Sequence, residues 1–258
     1  MIMILSPAKT FKEYSKEELL KYEPLKYNKE TLRLVERLKQ LEVDELVKLM
    51  KVSKEIAACN YERFANFTHS EQKGYYAIDY FYGEAFKGLD ALSLSQEARG
   101  FMEKHLRVLS GLYGSLRPLE VIQPYRLEMG TKLSKEKGDT LYSIWKPLLT
   151  EELLEALAQS EGEKVLLNLA SDEYSKAIDL KHIAKSYPVI TVHFKVKKGE
   201  TYKTVGMYAK RARGLMARYI CEKQVQTMED VKAFDKEGYQ FDAKQSTDTQ
   251  WVFVLERE

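Results

Sequence analysis

The sequence predicts a mixed α/β fold in which one mixed sheet is surrounded by helices. Three observations carry this. Short apolar runs stand at 1–5, 165–169 and 251–255, of strand length and bounded by polar residues. Segments of helical composition lie between them, the longest over 29–58. Residues 189–197 and 201–208 flank Lys198-Gly199-Glu200, which reads as a hairpin. Strands near both ends with helices between them argue for a sheet with helices packed on it.

Taken in order, Met1-Ile2-Met3-Ile4-Leu5 reads as a buried first strand running into the loop Ser6-Pro7-Ala8-Lys9-Thr10. Ser15-Lys16-Glu17-Glu18 has capping-box spacing and should open a short helix. Over 29–58, Leu32, Val35 and Leu38 share one face, and Leu46, Val47 and Met50 another. Residues 96–109 read as helix. Thr150-Glu151-Glu152 should cap a helix reaching about residue 159, with acids suiting its dipole. The nearly all-apolar 165–169 is expected as a strand covered on both faces. A helix over 209–223 and a final strand at 251–255 complete the reading.

Of 258 residues, 44% are hydrophobic and 31% charged, enough apolar material for a sizeable core under a polar surface. No repeat, low-complexity tract or Pro/Gly-rich linker divides the chain, so a single domain over 1–258 is expected. No apolar run approaches the roughly 18 residues of a membrane span. The apolar start lacks the basic lead-in and cleavage site of a signal peptide. Cys59 and Cys221 have neither disulfide-framework nor CxxC spacing. A cytoplasmic location without a membrane partner follows as the expectation.

The net charge of +2 hides an asymmetry: residues 195–223 carry +7 and the remainder −5. A basic face on a near-neutral protein suits a polyanion, or is simply a solvated helix surface. Within it, Lys210, Arg211 and Arg218 fall away from the face formed by Ala212, Leu215, Met216, Tyr219 and Ile220. Gly214 lies on the polar side, where it admits either a phosphate or a closely packed backbone. With Arg213, these basic residues are the candidate phosphate contacts.

Two loops follow apolar strands, where α/β sheets gather ligands. One is 6–10. The other, Asn168-Leu169-Ala170-Ser171-Asp172-Glu173-Tyr174, leads into a helix that Ser171 would cap, leaving N–H groups for an anion. Asp172 and Glu173 equally suit a helix first turn. Lys9, Asp172 and Glu173 are the candidate catalytic residues, and Ser6, Asn168, Ser171, Tyr174, Lys176 and Glu128 the candidate lining of a ligand cleft.

The segment 105–119 reads as a helix, a turn containing Gly111 and Gly114, and a second helical start with Arg117 and Pro118. It is either a helix-hairpin-helix gripping a phosphate chain or a plain tight turn, the glycines standing three apart rather than two. Arg126 and Glu128 follow in an extended stretch. His69, His105, His182 and His193 show no metal-ligand spacing, and no P-loop, GxGxxG or Ser-His-Asp order is present. No metal or cofactor is expected. Neither cysteine has the partner a thiol peroxidase needs.

Five of these motifs in this order, the 5–10 loop, 109–130, 168–176, 208–218 and Gly238-Tyr239, resemble the YaaA family of bacterial peroxide-stress proteins. The resemblance implies a bacterial cytosolic protein that limits hydrogen-peroxide damage. It also implies an uncommon fold with a helix-hairpin-helix-like element and a positively charged cleft that binds DNA. Two functions of different class are therefore carried forward: DNA binding, and an enzyme acting on a nucleotide, nucleoside or base through the two strand-end loops.

Overall fold

The computed structural model describes residues 1–13, 20–21, 25–67, 73–133 and 140–256; the helix start expected at 15–18 lies outside them. The chain opens with β1 (Ile2–Leu5), followed by β2 (Thr10–Phe11) and β3 (Leu20–Lys21). The helical stretch is divided into α1 (Asn28–Lys39), α2 (Val43–Met50) and α3 (Lys54–Ala65). The breaks have local causes. Glu42 and Glu45 form a capping box that starts α2, and Lys51, at φ 54, ends it in the left-handed region. The Ser53 hydroxyl then accepts the Ile56 N–H to start α3.

Next come β4 (Lys73–Tyr76), α4 (Ala77–Tyr80), β5 (Phe81–Tyr82), α5 (Glu84–Leu89) and α6 (Gln96–His105). The chain then forms β6 (Leu106–Ser110), β7 (Gly114–Leu116) and β8 (Val121–Ile122). Beyond α7 (Leu141–Gln159) lie β9 (Leu166–Leu169), α8 (Asp172–Ser175), α9 (Leu180–Ile183), β10 (Val189–Lys198) and β11 (Thr201–Lys203). The last elements are α10 (Gly206–Lys223), α11 (Met228–Lys232), β12 (Tyr239–Phe241) and β13 (Gln250–Glu256).

The main sheet runs β12-β13-β10-β9-β1-β6-β7, with β11 also paired to β10. β1 is parallel to β6 on one edge and to β9 on the other, and all four of its residues are buried. β9, β10 and β13 continue the parallel set, while β7, β11 and β12 are antiparallel additions. Parallel neighbours need crossovers, so helices cover both faces. On one, Arg107 of β6 and Ser115 of β7 both donate to Glu152 of α7, at 3.2 Å each. On the other, Phe194 and Phe253 meet Phe234, which packs edge-on against Tyr219 of α10.

Several elements differ from the sequence reading; the strand expected over 201–208 ends at Lys203, because α10 already begins at Gly206. Segment 105–119 is a β-hairpin, not a helix-hairpin-helix: the helix stops at His105, and β6 pairs with β1 and antiparallel with β7. All five β6 residues are buried. Sheet pairing of an apolar run outweighs its modest helical tendency. In the same region, α7 begins nine residues before Thr150, at a capping box of Thr140 and Ser143. Thr150 sits mid-helix, bonded to the Lys146 carbonyl at 2.6 Å, and Glu152 is turned inward to Arg107.

Gly214 answers to packing. A Cβ there would stand 1.7 Å from the Ala85 carbonyl oxygen, and one on Gly88 2.3 Å from that of Arg211. α5 and α10 thus touch backbone to backbone through one glycine from each. Arg218 completes the contact, donating to the Leu89 and Asp90 carbonyls at 3.1 and 2.9 Å, where a cation suits a helix C-terminus. Gly214→Ala should therefore force the two helices apart and lower stability by about 1–3 kcal/mol or more, or several degrees in melting temperature at about 2–4 °C per kcal/mol for a chain of this size. A thermal melt unchanged from wild type would refute this close-contact role.

Candidate functional site

Because β1 and β9 are parallel neighbours, their carboxyl ends release two loops side by side. The loops are bonded to each other. Ser6 Oγ accepts the Ser171 N–H at 2.9 Å and donates to Ser171 Oγ at 3.2 Å. Loops 6–10 and 168–174 therefore meet. The side chain of Ser171 does not cap the helix start as foreseen. α8 is only four residues long. The Ser171 N–H is taken by Ser6, and the Tyr174 and Ser175 N–H groups by the Ser171 carbonyl.

A third segment, 123–131, closes over these loops. Lys9 Nζ donates to Glu128 Oε2 at 2.7 Å, and Arg126 Nη2 to Glu128 Oε1 at 3.2 Å. The Gly130 N–H donates to Glu173 Oε1 at 2.9 Å, and the Tyr142 hydroxyl to the Glu173 carbonyl at 2.9 Å. Burial alone would raise the Glu128 pKa, but Lys9 and Arg126 outweigh it and hold the carboxyl below its usual range. A carboxylate so clamped is a weak proton acceptor and a good positioning group. Arg126 Nε is buried with no hydrogen-bond acceptor among the described residues, a costly state that a bound acceptor relieves.

The basic helix enters at one point. Arg213 is partly buried, which lowers its pKa, and the nearby Asp172 charge works in the opposite sense. Asp172 is exposed, whereas Tyr174 is buried and its pKa is pushed up chiefly by that burial. Asn168 has a bracing role: buried, it accepts the Ala170 N–H and donates to Thr191 Oγ1. Lys176 and Lys210 are exposed.

The remaining sequence candidates lie in other settings. Arg211 makes a forked ion pair with Glu237, at 2.6–3.0 Å, and Arg218 pairs with Glu222 at 2.7 Å as well as capping α5. Gly111 and Gly114 are buried, not open to a phosphate. A Cβ on Gly111 would strike the Leu127 carbonyl oxygen at 2.2 Å. Gly114, at φ 75, lies against the Trp145 ring, whose Nε1 donates to the Gly111 carbonyl at 3.0 Å. Arg117 is exposed beside a separate ionic cluster of Glu103, Arg107, Glu120 and Glu152.

Sequence reasoning missed one group. Lys48 and Lys51 at the end of α2, with Lys132, line a cavity of about 330 Å³ that Glu128, Gly130 and Glu173 also line. Nothing in their spacing signals this, since the lysines come from segments about 80 residues apart. Among the described residues there is no group of three His, Cys, Asp or Glu arranged to hold a metal ion, and no helix long and apolar enough to cross a membrane.

Residues 1–245 match the family described as peroxide stress protein YaaA. The chain belongs to this family. It is also similar, over nearly its whole length, to proteins named only UPF0246. One from Psychromonas ingrahamii is 42% identical across 98% of both chains, and one from Hahella chejuensis 42% identical across 98% of this chain and 99% of its own. A third, from Caulobacter vibrioides, is 40% identical across 98% of each. The family resemblance carried by the five motifs is thereby established, and the motifs at 5–10, 168–176 and 109–130 contain the three segments that meet at this site.

The ionic cluster near Arg117 gives a pH test. Burial, aided by Glu103 and Glu152, raises the Glu120 pKa to about 7. The folded state then holds this proton more tightly than the unfolded state, so stability from Glu120 is full in acid and is lost as pH rises through about 7. Glu120→Gln removes the effect. In urea melts, the variant should gain on wild type between pH 5 and pH 8; parallel behaviour across that range would mean that Glu120 is not perturbed.

Proposed function

We propose that the protein acts in a bacterial cytoplasm to limit hydrogen-peroxide damage by binding DNA across the face that carries the β1 and β9 loops and α10. The observation that carries this reading is the charge distribution. Within the +7 segment, Lys198, Lys203, Lys210 and Lys223 are exposed. Lys9, 56% exposed at its side chain, and Arg213 add positive charge at the strand-end loops. Cations on such a face neutralise phosphates and release counterions, giving binding that is salt-sensitive and largely independent of base sequence.

Arg211 and Arg218 are engaged within the protein, which divides the basic residues into two classes. Changing Lys198, Lys203 and Lys210 together to Ala should weaken binding to unrelated DNA sequences alike and flatten the salt slope by up to about three units. Arg218→Ala should instead lower stability by about 1–3 kcal/mol, because it strips the cap from α5. Gel-shift titrations at several salt concentrations, beside thermal melts, read both. Wild-type protein that fails to bind DNA even at low salt sinks the proposal.

A second reading, an enzyme acting on a nucleotide, nucleoside or base, is favoured by the clamped Glu128, by Glu173 bonded to Gly130, and by Asp172, whose charge acts on Arg213. Non-specific phosphate binding gains nothing from three carboxylates. On this reading Asp172→Asn abolishes protection of cells from peroxide while DNA binding stays the same or tightens. Full protection by the variant removes the enzyme reading.

A further inference from the structure

We infer that the cavity between the end of α2 and the 128–132 segment binds a nucleoside 5′-monophosphate, its phosphate on the lysines and its sugar or base on the carboxylates. This rests on the second reading above and names the ligand of that site.

The argument starts from charge. Lys48, Lys51 and Lys132 line one cavity from two separate segments, and none has an ion-pair partner among the described residues. Lys54, just beyond them, is paired with Asp44 at 3.2 Å. Three ammonium groups without partners around one space are donors available to a phosphate dianion. The same cavity also presents carboxylates. Glu128 is held ionised by Lys9 and Arg126, and Glu173 uses one oxygen on the Gly130 N–H, leaving the other for a donor. A second phosphate is repelled there, whereas a hydroxyl or amino group is accepted.

The cavity therefore offers both cations and hydrogen-bond acceptors. A ligand that matches it carries a dianion and several N–H or O–H donors a few ångströms apart. Inorganic phosphate lacks the donors and a nucleoside lacks the anion; a nucleoside monophosphate has both. The volume of about 330 Å³ lies at the small end of ligand pockets and suits one nucleotide unit. The same unit exists free and as the 5′-phosphorylated end of a DNA strand.

The full-length protein is titrated by calorimetry with the four 2′-deoxynucleoside 5′-monophosphates, the matching nucleosides, inorganic phosphate, and a short strand with and without a 5′-phosphate. At least one monophosphate, or the 5′-phosphorylated strand, should bind at least about tenfold more tightly than its unphosphorylated counterpart and than inorganic phosphate. Changing Lys48, Lys51 and Lys132 together to Ala should remove that advantage, and changing all three to Arg should retain most of it. Glu173→Gln should weaken the monophosphate without strengthening inorganic phosphate. Binding only by the free monophosphate identifies a metabolite site, and binding only by the phosphorylated strand identifies a DNA end.

Absence of binding by both, an equal affinity for inorganic phosphate, or an unchanged affinity in the alanine variant overturns the inference. The enzyme reading is judged separately by peroxide survival with Asp172→Asn. Lost survival beside an empty cavity sinks this site alone, and intact survival beside a filled one sinks the enzyme reading alone.

Discussion

β1 is paired in parallel on both edges, to β6 and to β9, and buried on both faces. Most of the architecture depends on that arrangement. A strand with two parallel neighbours cannot be joined to either by a tight turn, so the intervening chain must cross over the sheet. These crossovers supply helices to both faces. They also bring the carboxyl ends of β1, β6 and β9 to the same edge. Ser6 follows β1 directly, so its bonds to Ser171 are a consequence of strand register rather than of any motif in either loop.

A second constraint governs the basic helix. α10 lies so close to α5 that each needs a glycine at the contact, and its arginines are drawn into holding that contact and its surroundings. Arg218 caps α5, and Arg211 ties the helix to Glu237. Positive charge in a sequence is thus no measure of charge offered to a ligand. Arg211 and Arg218 serve the fold, Lys210 is left exposed, and Arg213 reaches the site where Asp172 lies.

The 105–131 region illustrates the same division. Gly111 and Gly114 suggest a phosphate grip when seen alone, yet Trp145 and the backbone at 127–128 occupy the space beside them. That close approach keeps the following segment near the strand ends, where Arg126, Glu128 and Gly130 join Lys9 and Glu173. The glycines contribute to the site by letting another segment pass, and not by touching what binds there.

The sequence by itself determined the local features. The buried strands at 2–5, 166–169 and 250–256, the hairpin at β10–β11 and the basic helix are all legible, because apolar period and turn residues act over a few positions. The two strand-end loops were legible as a candidate site for the same reason: polar residues directly after apolar strands have no core role. The tertiary structure decided what depends on distant partners. Residues 106–110 became a strand because β1 offered an edge. Arg211 was paired with Glu237, 26 residues on, Arg218 was drawn to the carbonyls of Leu89 and Asp90, and Glu128 was clamped by Lys9 from 119 residues away. The three lysines around the cavity gain meaning only once the end of α2 stands opposite residues 128–132. Such pairings depend on long-range geometry and electrostatics, and neither leaves a periodic mark on the sequence.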